Sequence, residues 1–136
     1  MKHNTIWQKI RFFRLRKQLK IPFPLYCKLH GVSKPDYQGA LAQSEVGDGL
    51  QLVHAPLDAY PHNTYAYSIT LNRILGYLDG HLAEKLVRLF GERFCCDGEI
   101  CNITGGEQGD YFGCNIRIYP TRTMMKDIQD FSHLYS

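Results

Sequence analysis

The sequence predicts a mainly β fold, a small closed or partly open β-barrel of five or six strands with one helix between strands and a helix at each end. Three observations predict it: short alternating or apolar runs recur, turns rich in Gly, Pro, Asn and Asp separate them, and one run has helical spacing. With 136 residues, 44% of them hydrophobic, we expect a barrel domain at 25–120, a basic segment at 1–24 and an amphipathic helix at 121–136.

The N-terminal segment carries most of the positive charge. Seven of the sixteen Lys and Arg residues lie within residues 1–20, which hold no Asp or Glu, so the rest of the chain has nine basic and thirteen acidic residues. Apolar residues recur there at imperfect helical spacing, which predicts a helix that ends at Pro22. Three roles stay open: a packing helix with a solvated charged face, an arm that binds phosphates, and a segment on a membrane surface.

The barrel domain begins with one strand and one long connection. Leu25 to Val32 alternates well enough to predict the first strand. Ser33 to Gly49 is rich in Gly, Asp, Ser and Gln, so we predict a long excursion there that exposes Tyr37.

The central segment combines a strand, a polar loop, a hairpin and a helix. Val53 and the alternating run 66–71 have strand character, while residues 55–63 hold two prolines and predict an ordered turn. After a further short apolar strand at 74–78, Asp79 is well placed to cap a helix. The apolar residues of that helix recur at helical spacing until Gly91.

The last third of the domain returns to strand patterns. Asp97 and Gly98 predict a tight hairpin turn between two short strands, because both residue types take the positive φ that such a turn needs. Residues 104–109 are rich in Gly and predict a mobile loop. Residues 110–119 alternate most clearly and predict the final strand, which Pro120 closes.

Ten residues in the central segment form a spaced pattern of Leu, Pro, Tyr, Asn, Gly and Ala. They are Leu50, Leu52, Pro56, Tyr60, Asn63, Gly76, Tyr77, Leu78, Leu82 and Ala83. In this pattern the chain resembles the HIRAN family, whose core reads Leu-x-Leu, a proline, an Asn-Pro-Tyr-Asp-x-Asn-Ala loop, a strand, then Gly-Tyr-Leu-Pro and a helix near Leu-Ala. The resemblance extends over residues 25–119.

The resemblance implies both a fold and a function. HIRAN domains are small β-barrels found fused to fork-remodelling ATPases and nucleases, and also as free-standing bacterial proteins. A HIRAN-type barrel, OB- or SH3-like, is therefore expected, with a non-catalytic function in DNA repair. The implied partner is DNA, with single-stranded or disrupted DNA ends preferred.

The chain also departs from the family pattern in the loops that would touch DNA. Pro61 stands where members commonly carry Asp, and Asp79 and Gly80 stand where the members that bind DNA ends carry a basic residue. Tyr37 stands alone where a pair of adjacent aromatic residues is usual. These departures weigh against end-specific capture of single-stranded DNA.

The candidate nucleic-acid surface combines loop aromatics with nearby polar and basic residues. We expect bases or sugars to contact Tyr37, Tyr60, His62, Asn63 and Tyr77, and phosphates to contact Lys34, Arg73 and the basic N-terminal arm. Stacking a base on a tyrosine ring is worth about 1–3 kcal/mol and tolerates any base. A structural alternative stays open, in which Tyr77 packs into the core while Tyr60 and Asn63 hold the loop.

The motifs of common enzymes and metal sites are missing from the sequence. It has no Gly-x-Ser-x-Gly elbow, no Gly-rich phosphate loop ending in Gly-Lys-Ser or Gly-Lys-Thr, and no His-Glu-x-x-His helix, so we expect no enzyme activity and no cofactor. Zinc is disfavoured for Cys95, Cys96, Cys101 and Cys114, because adjacent cysteines in a strand point to opposite faces. Buried thiols are preferred, and His54, His62 and His81 lack a second ligand at metal-binding spacing.

Compartment and partners are predicted more loosely. Five cysteines without a secretory signal favour reduced thiols in the cytoplasm, and no apolar run reaches the roughly 18 residues of a membrane span. The alternative to DNA binding is a protein-interaction module. In that hypothesis a partner or a second copy docks on residues 122–136, which include Met124 and Met125, and on the acidic barrel.

Overall fold

The computed structural model describes residues 22–91 and 94–119, together with the isolated positions 10, 11, 14, 17 and 18, whose backbone is helical. The strands are β1 (Leu25–Lys28), β2 (Gly49–His54), β3 (Thr64–Ser68), β4 (Arg73–Tyr77), β5 (Cys95–Thr104) and β6 (Gly113–Tyr119). The helices are α1 (Pro35–Ala42) and α2 (Gly80–Phe90). Most of the predicted segment 1–24, and all of the predicted helix 121–136, lie outside the described residues.

The six strands form one antiparallel sheet in the order β1-β6-β5-β2-β3-β4. Its two edges meet at one point, where His30 and Tyr77 exchange backbone hydrogen bonds of 2.8 and 2.9 Å. The sheet therefore curls into a half-barrel whose edge strands are joined by a single bridge. The mainly β prediction is confirmed.

The interior is filled by the residues that alternate inward along each strand, as expected for a small barrel. They include Leu50 and Leu52 of β2, Ala66 of β3, Leu75 of β4, Cys96 and Ile100 of β5, and Cys114, Ile116 and Ile118 of β6. The alternation predicted for the final strand is thus confirmed. Side chains of the described residues therefore fill the interior of the curled sheet.

Helix α2 has the start and the end that the sequence predicts. The Asp79 carboxylate accepts hydrogen bonds from the backbone N–H groups of His81 and Leu82, at 3.1 and 3.2 Å. Gly91 ends the helix with φ of 97°. Ala83, Leu86 and Leu89 are buried, so one face of α2 packs on the sheet while its first turn stays at the surface.

Helix α1 lies within the long excursion predicted between the first two strands, where no helix was predicted. Pro35 begins the helix, and the Asp36 carboxylate interacts favourably with the positive N-terminal end of the helix dipole. Ala40 and Leu41 are buried on the face that packs against the fold. The Gln38 amide ties α1 to the rest of the fold: it donates to the Val32 and Phe112 carbonyls at 2.7 and 3.0 Å, and its oxygen accepts from the Phe112 N–H at 2.8 Å. Because such side-chain contacts hold α1 in place, the helix does not need a regular repeat of apolar residues, which is the pattern by which a helix is predicted from sequence.

The hairpin turn predicted at Asp97 and Gly98 is also wrong, because both residues lie within β5. Gly98 is buried, and a Cβ atom there would come within 2.7 Å of the Leu52 side chain. Glycine is present because the strands and side chains pack closely, not because the chain turns. The strand predicted at 66–71 is shorter than expected, since β3 ends at Ser68 and a turn follows.

Candidate functional site

A cleft of about 820 Å³ opens on the outer surface beside the bridge that joins the sheet edges. We call it the tyrosine cleft. It is lined by His30, Gly31, Lys34, Leu57, Ala59, Tyr60, Pro61, His62, Asn63, Tyr77, Leu78, Asp79, Gly80, His81 and Glu84. These residues come from the chain after β1, the loop 55–63, the end of β4 and the start of α2.

The structure brings together six of the seven residues predicted to touch nucleic acid. Lys34, Tyr60, His62, Asn63 and Tyr77 line the tyrosine cleft, and Tyr37 contacts Tyr77 from α1. Arg73 does not join them, because it begins β4 whereas Tyr77 ends it, about 13 Å further along an extended strand.

Tyr77 is held in place from two sides. Its backbone forms the bridge to His30, and its hydroxyl lies 2.6 Å from the hydroxyl of Tyr37. The two rings meet edge to face, with centroids 5.8 Å apart and planes at 67°. Burial, followed by the hydrogen bond to Tyr77, raises the pKa of Tyr37 to about 12. Tyr77 is half-buried, so part of its side chain packs against the protein and part faces the cleft.

Lys34 places a positive charge beside this tyrosine pair. Its Nζ atom lies 5.6 Å from the centroid of the Tyr37 ring and 5.9 Å from that of the Tyr77 ring. Both distances suit a cation–π interaction. The ammonium group is thereby kept at the wall of the cleft, where it can contact an anionic group of a ligand.

The loop 55–63 is a small ordered hairpin. Leu57 and Tyr60 exchange backbone hydrogen bonds of 3.0 Å, and the Asn63 amide donates to the Ala55 carbonyl at 3.0 Å. Asn63 therefore holds the loop, as the structural alternative proposed. The Tyr60 side chain instead projects outward and is 68% exposed, so its ring is accessible to a ligand.

The charges around the cleft are mixed. The lining includes one lysine, Lys34, and two carboxylates, Asp79 and Glu84, so acidic side chains outnumber Lys and Arg there. The first turn of α2 also lines the cleft, and the N-terminal end of a helix attracts anions. The Asp79 carboxylate already accepts two N–H groups of that turn and offsets part of this attraction.

The cysteines are free thiols in varied surroundings. Cys96 and Cys114 are buried as predicted, but Cys95 is exposed, so the prediction of buried thiols was wrong there. Burial raises the pKa of Cys27 to about 11 and that of Cys114 to about 12, and it also raises the pKa of Cys96. Within residues 22–91 and 94–119, no three His, Cys, Asp or Glu residues come together in a way that could hold a metal ion.

Several cleft residues were not predicted from the sequence. His30, His81 and Glu84 line the cleft only because the bridge at Tyr77 brings the end of β1 next to the start of α2. No local motif marks these three positions. The proximity of Asp79 to the loop 55–63 could have been expected, because the loop precedes β3, Asp79 follows β4, and these two strands form an antiparallel hairpin.

No protein-family model matches the chain, and no curated protein or solved structure matches it. The protein is a small, mainly β protein with an open cleft lined by tyrosines on its outer surface. No helix in the described part of the chain is both long and apolar enough to cross a membrane.

Proposed function

We propose that this chain is a HIRAN-like, non-catalytic module that binds DNA, with single-stranded DNA or disrupted ends preferred. The observation that carries the proposal is the tyrosine cleft, which gathers five of the predicted residues and holds a sixth, Tyr37, against Tyr77. A HIRAN-type barrel belongs to the same proposal. The curled, partly open sheet and the helix that follows Gly76, Tyr77 and Leu78 support it.

Unpaired bases suit this cleft better than a duplex does. The exposed Tyr60 ring offers a stacking surface, and bases are available for stacking on aromatic side chains only when they are unpaired. The Tyr77 ring, which also lines the cleft, is a second stacking surface. Lys34 lies beside it and can contact the phosphate next to a stacked base.

Most of the electrostatic attraction must come from outside the cleft. Asp79 and Glu84 repel phosphates, whereas residues 1–20 supply seven positive charges. Each phosphate that a basic residue neutralises releases counterions and makes binding more sensitive to salt. Replacing the seven Lys and Arg residues at 1–20 with Gln should therefore flatten the salt dependence of binding more than any change in the cleft.

The proposal is tested by removing both stacking rings. The variant Tyr60→Ala, Tyr77→Ala should lose at least about 2 kcal/mol of binding free energy for a labelled single-stranded oligonucleotide, measured by fluorescence anisotropy. Tyr111→Ala is the matched control, since Tyr111 is also 68% exposed and lies outside the cleft. Circular dichroism establishes that each variant is folded.

Unchanged affinity in a folded double variant would refute the role of the cleft. No single-strand binding by the unaltered chain, even at low salt, would refute the function itself. A preference for duplex DNA that persists without the two rings would also contradict the proposal, because the cleft has no surface suited to paired bases.

A protein-interaction module is the second candidate. It is favoured by the tip of the loop 55–63, where Leu57 is 55% exposed and Tyr60 is 68% exposed. Adjacent exposed apolar side chains of this kind are typical of contact surfaces. Self-association that rises with concentration and disappears in the variant Leu57→Ser, Tyr60→Ser would support this candidate over DNA binding.

A further inference from the structure

A second groove adjoins the tyrosine cleft on the other side of the loop 55–63. It has a volume of about 590 Å³ and shares Pro61 and His62 with the tyrosine cleft. We call it the Phe94 groove, after the buried side chain that lies at its base. Since two residues line both sites, a ligand that fills one site and continues past them enters the other.

The Phe94 groove differs from the tyrosine cleft in charge. Among the described residues, those that line it include no Asp, Glu, Lys or Arg, whereas Asp79 and Glu84 line the tyrosine cleft. Val53, Val87 and two prolines contribute apolar side chains to its lining. An uncharged, mainly apolar group gives up little hydration free energy when it enters the groove. Contacts with the apolar lining offset that loss.

One aromatic ring that lines the groove has a fixed orientation. The rings of His54 and Phe94 are stacked, with centroids 5.7 Å apart and planes at 6°. The His54 Nε2 atom is hydrogen-bonded to the Pro61 carbonyl at 2.8 Å, which holds the imidazole against the loop. The half-buried His54 ring, fixed between Phe94 and the loop, is the aromatic surface of the groove on which a planar ring can stack.

His62, at the boundary of the two sites, has an unsatisfied polar atom. Its Nδ1 atom is buried and has no hydrogen-bond partner among the described residues. Buried polar atoms almost always have a partner. A ligand that lies across Pro61 and His62 carries polar groups into this region and can supply one.

We propose that the Phe94 groove binds a second nucleobase, the one adjacent in the same strand to the base held in the tyrosine cleft. The strand then crosses Pro61 and His62, with one base on each side of the loop. Proteins that hold single strands commonly contact about four or more nucleotides on successive stacking surfaces. This inference rests on the proposed function, and it adds a path for the strand and a subsite that the sequence did not indicate.

Cys95 provides a direct test, because it is exposed and lines the groove. The full chain is treated with iodoacetamide at mildly alkaline pH, with and without a saturating thymidine oligonucleotide of about eight residues. Peptide mass spectrometry then measures alkylation of each thiol. Alkylation of Cys95 should slow about fivefold or more when the strand is bound, whereas Cys101, half-buried and outside both sites, should react at an unchanged rate.

A charge in the groove gives an independent test. Cys95→Glu should weaken binding of the same oligonucleotide about tenfold. The new carboxylate would lose hydration where the uncharged base lies, and it would repel the phosphate beside that base. Asn102→Glu is the matched control, because it adds the same negative charge at an exposed position of β5 outside both sites. It should change the affinity less than about twofold, since exposed charges far from a ligand are screened by salt.

The outcomes separate this inference from the proposed function. Protection of Cys95 together with selective weakening by Cys95→Glu supports the second subsite. Binding that depends on Tyr60 and Tyr77, but leaves Cys95 fully reactive and tolerates Cys95→Glu, overturns the subsite and leaves the proposed function intact. If the oligonucleotide does not bind at all, both proposals are overturned.

Discussion

The hydroxyl groups of Tyr37 and Tyr77 lie 2.6 Å apart and join helix α1 to the last residue of β4. Tyr77 also forms the bridge that joins the two edges of the sheet. One residue thus closes the half-barrel and provides a wall of the tyrosine cleft. A substitution at Tyr77 would therefore alter both the closure of the sheet and the wall of the cleft.

Removing only the Tyr37 hydroxyl should affect stability first. Tyr37→Phe keeps the ring against Tyr77 but removes the hydrogen bond, so the free energy of unfolding should fall by about 1 kcal/mol in urea denaturation. Affinity for single-stranded DNA should fall only a few-fold, because Tyr77 stays in place. Tyr26→Phe is the control, since Tyr26 is 63% exposed, and its free energy of unfolding should not change. Equal stability of the two variants would show that the Tyr37 hydrogen bond contributes nothing.

The tyrosine pair should also give the protein a characteristic response to alkali. Burial and the hydrogen bond raise the pKa of Tyr37 to about 12, from about 10 in an unfolded chain, so the folded state favours the neutral phenol. The stabilisation is complete below about pH 10 and is lost as the pH rises through about 12. An ultraviolet titration of tyrosinate should show one late transition that is missing in Tyr37→Phe. Nine tyrosines that all ionise together near pH 10 would contradict this assignment.

Neutralising the acidic wall of the cleft should strengthen binding. In the variant Asp79→Asn, Glu84→Gln both carboxylates are removed, and Asn still caps α2 about as well as Asp does. Affinity for single-stranded DNA should rise several-fold at low salt, and the gain should shrink as salt is added. Glu107→Gln with Asp110→Asn makes the same charge change outside both sites and should have a smaller effect. A gain of equal size in both variants would indicate only a general effect of net charge.

Closure of the half-barrel should depend on Gly76. A Cβ atom at this buried position would lie 2.9 Å from the His30 carbonyl oxygen and 2.9 Å from a Val32 methyl group. Gly76→Ala should therefore destabilise the fold by about 1–3 kcal/mol. Gly39→Ala makes the same change in α1, where no atom lies within 4 Å of the added Cβ, and should instead stabilise the fold by about 0.5–1 kcal/mol. Thermal unfolding of the two variants compares these opposite effects, and a Gly76→Ala variant as stable as the unaltered chain would contradict the close approach.

The features that were predicted correctly from the sequence depend on residues that are close together along the chain. Asp79 caps the helix that begins beside it, and Gly91 ends it. The prolines at 56 and 61 interrupt the ladder between β2 and β3, and the alternation along β6 places its apolar residues inward. The wrong predictions concern residues whose role depends on contacts with residues far away in the sequence. Gly98 suggested a turn, but its small size serves packing against Leu52.

The sequence by itself determined the mainly β class, the position of α2 and the ordered loop that exposes Tyr60. Alternation, capping and proline act between neighbours, so these features need no knowledge of the rest of the fold. Only the tertiary structure decided that Tyr37 lies on a helix and supports Tyr77, that Arg73 lies apart from the cleft, and that a second groove adjoins it. Those relationships depend on which strands pair and where the sheet closes, as in the contact between Tyr37 and Tyr77 across 40 residues of chain.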